Sequence, residues 1–348
     1  MRRSRKRHGR FKVRKISIAF LLNVCAGAAC AQPAVDFYKG KTINLFVAFP
    51  AGGGYDIYSR LAARYMSRYI PGAPNIVTQN MPGAGGVKAA NFLYDVALRD
   101  GTAIGMLADN AATEEVLAMP GVTYVTAKFN WIGRVTSSVN IEAALATSGF
   151  TSIEDVKQRE FIVGGTGAAG ITTVVRRVAN AVGGTKFKVI TGYAGSPEAC
   201  LAMEKGEVQG CAPSWTHTKT NLRNWLNEKK INVILQWGVT RHRELAQAPT
   251  MVELGRTDED RKVLALYGGA TELGRSIAAP PDVPADRVKL LRDAFEMAMK
   301  DPALLAEVQK ANLDYDPMNG ADLQKFIVEL NNVSPGVVER ARKAHGGL

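Results

Sequence analysis

The chain has 348 residues, enough for two domains of ordinary size, and its apolar (46%) and charged (22%) fractions are those of a globular protein. Its formal charge of +12 would suggest a nucleic-acid partner, but residues 1–31 hold six Arg and three Lys and no acid. That segment accounts for all but about +3 of the charge, so no nucleic-acid partner is expected of the remainder.

The charged start is followed by an apolar block at residues 16–28, shorter than the roughly 20 residues a bilayer requires. Ala29-Cys30-Ala31 then offers a small-x-small cleavage site. Together they predict a secretory signal over residues 1–31, cut before Gln32. A nuclear-localisation run is the competing reading of the basic stretch, and it leaves the apolar block unexplained. Gly27-Ala28-Ala29-Cys30 resembles a lipoprotein site with a small residue where a larger one belongs. Arg2-Arg3 is not followed by the rest of a twin-arginine pattern. No later segment is apolar enough to span a membrane, so a periplasmic protein without a lipid anchor is expected. Cys25 and Cys30 leave with the signal, and Cys200 and Cys211 remain. In an oxidising compartment these two either pair or stay as separate buried thiols, and spacing leaves both open.

The first predicted strand, residues 42–49, runs into Phe49-Pro50-Ala51-Gly52-Gly53-Gly54-Tyr55-Asp56, and residues 57–69 read as a helix. A glycine run before a helix leaves main-chain N–H groups uncovered beside the positive end of the helix dipole, a place for an anion. Gly53 is expected to need a positive φ, and Asp56 to cap the helix. Arg60, Arg64 and Arg68 fall on one helical stripe and read as a solvated face. A strand at 75–79 leads to Pro82-Gly83-Ala84-Gly85-Gly86, either a binding element or, the favoured reading, a turn that positions the first loop, before a helix at 84–97 and a strand at 103–108.

The second half repeats the layout. A strand at 161–164 runs into Gly165-Thr166-Gly167-Ala168-Ala169-Gly170 and a helix at 171–181. Strands follow at 187–191, 208–212 and 232–237, and helices at 197–205, 287–299 and 302–311. Alternation of short apolar runs with helical patterns argues α/β, with two doubly wound domains whose ligand ends face each other across a cleft. The domains are expected at residues 32–137 plus 263–348 and at 138–262, with the chain crossing near 136–140 and again near 256–262.

Gly165, Gly167 and Gly170 match the dinucleotide fingerprint, but that motif needs an acid about 20 residues on, and none stands between Glu160 and Glu198. Arg176 and Arg177, the candidates for a phosphorylated ribose, fall within the predicted helix. There is no phosphate-binding Gly-Lys-Ser/Thr and no Gly-x-Ser-x-Gly elbow. His217, His242 and His345 fit no zinc spacing, and His217, near Ser214 and Trp215, is expected in an exposed loop. No catalytic residue, metal or cofactor is expected.

Five blocks in order carry a family resemblance. They are the loop at 49–56; Pro82-Gly83-Ala84-Gly85-Gly86 with Ala89-Ala90-Asn91; Asp100-Gly101-Thr102; Gly192-Tyr193-Ala194-Gly195-Ser196 with Leu201; and Gly206-Glu207-Val208. Over almost its whole mature length the chain resembles the periplasmic solute-binding receptors of tripartite tricarboxylate transporters, the Bug proteins. The resemblance implies two α/β domains joined by crossing hinge strands, like type II periplasmic binding proteins, closing on a small organic acid. It implies a monomer that delivers its ligand to membrane transporter subunits. It places the ligand against Phe49, Ala51, Gly52, Gly53, Gly54, Tyr55 and Asp56 on one side, and Thr166, Gly167, Ala168 and Ala169 on the other, with Ser214 nearby. Ala168 stands where the family often has a hydroxyl residue, and Ile171 where it often has histidine. The rival functions are a secreted hydrolase with an unrecognised triad and a receptor that presents its ligand to a sensor protein.

Overall fold

The computed structural model describes residues 34–168 and 170–346. The signal segment, its cleavage site, Cys25, Cys30 and Ala169 lie outside the described residues. In chain order the elements are α1 (Ala34–Phe37), β1 (Thr42–Val47), α2 (Gly54–Tyr69), β2 (Asn75–Asn80), α3 (Val87–Asn91), β3 (Ala103–Met106), α4 (Ala111–Val116), β4 (Asn130–Arg134), β5 (Asn140–Leu145) and α5 (Ile153–Gln158). They continue with β6 (Phe161–Gly164), α6 (Ile171–Gly183), β7 (Phe187–Ile190), α7 (Ser196–Glu204), β8 (Gly210–Cys211), α8 (Trp215–Asn221), α9 (Arg223–Asn227), β9 (Ile231–Trp237) and α10 (Asp258–Leu273). Last come β10 (Ser276–Ala279), α11 (Ala285–Met299), α12 (Pro302–Lys310), β11 (Met318–Asn319), α13 (Gly320–Leu330) and α14 (Pro335–His345).

Two sheets result. The first has the order β11-β4-β10-β3-β1-β2, with β1 parallel to both β2 and β3, and β10 antiparallel to β3 and β4. The second has the order β7-β6-β8-β5-β9, with β6 parallel to β7 and β8, and β5 antiparallel to β8 and β9. In each sheet the strand by which the chain arrives from the other sheet, β10 or β5, runs against its neighbours, and β11 also runs against β4, so both sheets are mixed.

Each sheet is covered on both faces, which is why its strands read as continuous apolar runs. One face of the first sheet packs Leu61, Ala62 and Met66 of α2 against Leu291 and Phe295 of α11. The other packs Trp131 against Leu323 and Ile327 of α13. In the second lobe Val163, Val174, Val178 and Trp237 form one core, and Ile141, Met203 and Trp225 the other. A fully buried side chain of this size contributes roughly 1.5–3 kcal/mol.

The first crossing runs between β4 and β5. The second lies at the end of α10, not at 256–262 as the sequence suggested. The two crossings are hydrogen-bonded to each other: Val135 N–H donates to Arg275 O (2.9 Å), Arg275 N–H to Thr136 O (2.9 Å) and Ser138 N–H to Thr271 O (2.8 Å). Val263, Leu264 and Tyr267 of α10 and Ala341 and Ala344 of α14 lie in the second-lobe core. Residues 263–348 therefore do not all pack with the first sheet. The C-terminal helix returns to the second lobe because its apolar stripe finds α6 there.

Candidate functional site

The loop after β1 turns at Gly52, whose φ of +86° only glycine adopts readily. Gly53 is extended at φ −84°, so the positive φ expected there belongs to its neighbour. Gly53 is the N-cap of α2 and offers no side chain to cap it. Asp56 sits in the first turn and accepts from Gly52 N–H (3.0 Å), Arg60 Nε (3.0 Å) and Asn80 Nδ2 (3.1 Å). Burial pushes its pKa up, but those donors outweigh it and hold the carboxyl below its usual range. Asp56 thus ties the loop back from behind instead of capping the helix. The first-turn amides of Gly54, Tyr55 and Asp56 have no intrahelical acceptor. Of the arginine stripe, Arg60 pairs with Asp56, Arg64 with Glu307 and Arg68 with Asp301.

In the second lobe Thr166 N–H donates to Thr172 Oγ1 (2.9 Å), which closes the loop on the start of α6. Arg176 supports that loop from beneath. Its Nη1 donates to Gly164 O (2.7 Å) and Thr172 O (3.0 Å), while Nε and Nη2 grip Glu142 at 2.8 and 2.7 Å. A guanidinium so committed has nothing left for a ribose phosphate, and the loop serves as a helix start. α7 begins with Gly195 as N-cap and Pro197 in its first turn. Ser214 is the N-cap of α8, and its Oγ accepts the His217 N–H (3.2 Å). Cys200 on α7 and Cys211 on β8 form a disulfide with Cα atoms 5.2 Å apart, which fixes α7 to the sheet.

The starts of α2, α6, α7 and α8 converge on a cavity of about 220 Å³. Of the residues expected at the ligand, Phe49, Ala51, Gly53, Gly54, Tyr55, Thr166 and Ser214 lie on its wall. Gly52, Asp56, Gly167 and Ala168 do not. The Gly52 amide is already bound to Asp56. The turn at 82–86 lies outside the wall too, with Ala48, Ala89 and Ala108 packed together beside it.

The wall also holds residues the sequence reading missed, among them Asp109, Asn140 and Arg275, and it holds His217 buried where an exposed loop was expected. Arg275 is 4% exposed, and its guanidinium lies 3.9 Å from the Tyr55 ring centroid. Tyr55 in turn packs on Phe49 with centroids 4.4 Å apart. Among the described residues, Nε and Nη1 of Arg275 are buried with no hydrogen-bond partner, and the nearest carboxylate, Asp109 Oδ2, is 3.8 Å away. Burial pushes the Asp109 carboxyl up against the pull of Arg275, and its Oδ1 also has no partner. Burial pushes His217 down, which keeps the imidazole neutral. The site therefore presents one desolvated, unsatisfied cation beside uncovered helix-start amides, an arrangement that can take a carboxylate. Ser214 Oγ meets the His217 main chain rather than its ring. A further cluster, His242, Glu244 and Asp314, has the Lys219 ammonium bonded to Glu244 (2.8 Å) and Asp314 (2.7 Å), so a cation already fills it.

Arg275 was hidden because the strand it introduces, β10, has four residues and no turn signal before it except Gly274. The one hint is a lone arginine at the edge of the apolar run Ser276-Ile277-Ala278-Ala279.

Two α/β lobes joined by paired crossing strands, with an anion-suited cavity between them, define the solute-binding receptor class of protein. The chain matches the tripartite tricarboxylate transporter family receptor over residues 59–342, and it belongs to that family. It is 24% identical over 328 residues to a protein named "UPF0065 protein in gbd 5'region" from Cupriavidus necator, covering 89% of this chain and 90% of the relative. The fold is similar to the periplasmic binding protein BugD (21% identity, TM-score 0.69, 88% of this chain and 98% of that one). It is also similar to MatC from Rhodopseudomonas palustris with bound malate (17% identity, TM-score 0.66, 88% and 99%). Among the described residues no helix is long and apolar enough to cross a membrane.

Proposed function

We propose that this receptor is an exported, monomeric, periplasmic protein that captures a small organic carboxylate between its lobes and delivers it to the membrane subunits of a tripartite transporter. The observation that carries this reading is Arg275, a buried guanidinium on the cavity wall whose Nε and Nη1 have no hydrogen-bond partner among the described residues. Leaving such a group unsatisfied is costly, so the site favours an anion that completes it. In this reading the ligand carboxylate meets Arg275 and the amides of Gly54 and Tyr55, and Thr166 and Ser214 close over it. Each charge-assisted hydrogen bond contributes roughly 1.5–3 kcal/mol, so three or four suffice for micromolar binding after association costs. Malate in MatC, a similar fold, agrees with an acid ligand. Binding and release without turnover is all the site is asked to do.

The test is calorimetric titration of exported protein, stripped of ligand by unfolding and refolding, against organic acids and their neutral amides. Saturable binding of an acid with no chemical change in it, and none of its amide, is expected. Conversion of the acid to product, or equal binding of the amide, overturns the reading.

A further inference from the structure

We infer that the cognate ligand is a monocarboxylate of about nine non-hydrogen atoms in all, with an uncharged, apolar body, and not a di- or tricarboxylate. The inference rests on the reading of this cavity as a carboxylate site and adds what the rest of the ligand must be. The charge inventory of the wall carries it. Arg275 is the one cationic side chain among the described wall residues, and it already shares its field with Asp109 at 3.8 Å. The other ionisable acid on the wall is Glu198, which is held in place because its Oε2 accepts the Ala194 N–H at 2.8 Å. A ligand with one carboxylate can satisfy Arg275. A second carboxylate would have to lie near Glu198 or against hydrocarbon, and burying an unpaired charge is expensive.

Asn140, Thr166, Thr172, Ser196, Ser214 and His217 are polar but uncharged, and the part of the wall between them is suited to an apolar body. The Phe49 ring and Pro50 face it from the first lobe, and Ile171 and Pro197 from the second. These are stiff or bulky groups that contribute no hydrogen-bond donors. The size follows from volume. A dry cavity of about 150 Å³ accepts benzene with its six carbons, so one of about 220 Å³ accepts roughly nine heavy atoms. Malate is of that size as well, so charge and not volume makes the distinction.

The experiment titrates ligand-stripped wild-type protein at neutral pH and fixed ionic strength with benzoate, phenylacetate and 4-methylpentanoate, and in parallel with malate and citrate. At least one monocarboxylate is expected to bind about tenfold or more tighter than either polyacid. Malate or citrate binding equally well or better overturns the inference and leaves the carboxylate receptor standing. If no acid saturates the protein, both fall. In Ile171→Arg, a cation placed opposite Arg275 should shift the malate-to-benzoate affinity ratio toward malate by about tenfold. A folded variant, checked by circular dichroism, whose ratio is unchanged overturns the placement of the ligand body at Ile171.

Discussion

Lys219 donates to Asp314 from one lobe to the other, Nζ to Oδ1 at 2.7 Å. Lys219 belongs to α8, which begins at Trp215 in the second-lobe core. Asp314 stands between Leu313 and Tyr315, which pack on the first-lobe core. The same residue accepts from Thr216 Oγ1 at Oδ2 (2.5 Å) and from Tyr58 Oη at its main-chain oxygen (2.7 Å). These bonds bias the lobes toward each other before any ligand arrives. Asp314→Asn keeps the shape and removes the charge. Ligand affinity should fall about threefold to tenfold, and the ligand-free radius of gyration should rise. Scattering and titration that both match wild type would show that the bond exerts no hold on the cleft.

The three loop glycines should respond differently. Gly52→Ala meets no atom within 4 Å but is forced into a positive φ, a cost of about 1 kcal/mol in stability. A Cβ at Gly53 meets nothing nearer than Pro50 O at 3.9 Å, and its φ is ordinary, so Gly53→Ala should fold and bind like wild type. At Gly54 a Cβ lies 3.3 Å from both Arg275 Nη2 and Ser214 Oγ, so Gly54→Ala should weaken binding about tenfold with little change in melting temperature. Thermal unfolding and titration of the three variants separate these outcomes.

Glu114 offers a pH test away from the cleft. Burial pushes its carboxyl up to about 7, against a hydrogen bond from Asn110 Nδ2 at 3.0 Å. In the unfolded chain the same group ionises near its ordinary value of 4.5. Between those values the folded state keeps a proton that the unfolded state releases, so this contribution to stability falls as pH rises. The loss is complete above about pH 7 and amounts to roughly 3 kcal/mol. Glu114→Gln should remove that slope and be the more stable form at about pH 8. Urea unfolding of both proteins near pH 5 and near pH 8 measures the difference; parallel curves would show that the buried carboxyl is not protonated.

Cys200 and Cys211 are 11 positions apart, and closing so short a loop stabilises by roughly 3 kcal/mol. Denatured, unreduced exported protein should titrate no free thiol, and reduction should lower stability by about that amount. Because α7 carries the Pro197 wall, the reduced protein should also bind its acid more weakly. Two free thiols before reduction would show that Cys200 and Cys211 are not bonded.

Sequence carried the parts of the site that depend on local backbone chemistry. The loop at 49–54 and the helix starts at Ile171 and, one residue late, at Pro197 were legible because glycine and proline punctuate them, and the strands before them are apolar runs. α2 and α11 were also legible as amphipathic runs, but α10 was not. α10 opens with Thr257 and Asp260 in a reciprocal capping box, a signal present in the sequence but outweighed by its run of charged residues. β4, β5 and β10 were missed because each belongs to a crossing, and a crossing is defined only by where the chain goes next. Arg275 and Asp109 meet through that return, 166 residues apart, at a distance no periodicity records.

The position of Arg275 leads to the sharpest comparison. It lies on the second crossing, stacked on Tyr55, with no acceptor for Nε and Nη1 among the described residues. Arg64 carries the same charge on an exposed face and pairs with Glu307. If the cleft takes a carboxylate through Arg275, Arg275→Gln should weaken binding about 10- to 100-fold, or roughly 1.4–2.7 kcal/mol. Arg64→Ala should change it less than about twofold, because exposed pairs are screened and contribute little. Arg275→Gln also leaves Asp109 without its counter-charge, so the paired variant Asp109→Asn/Arg275→Gln serves as the folded control, with the melting temperature read alongside affinity. Normal affinity in Arg275→Gln combined with loss in Gly54→Ala would assign the ligand to the helix-start amides alone, and the guanidinium would then be a spacer between the crossing strands and the Tyr55 ring.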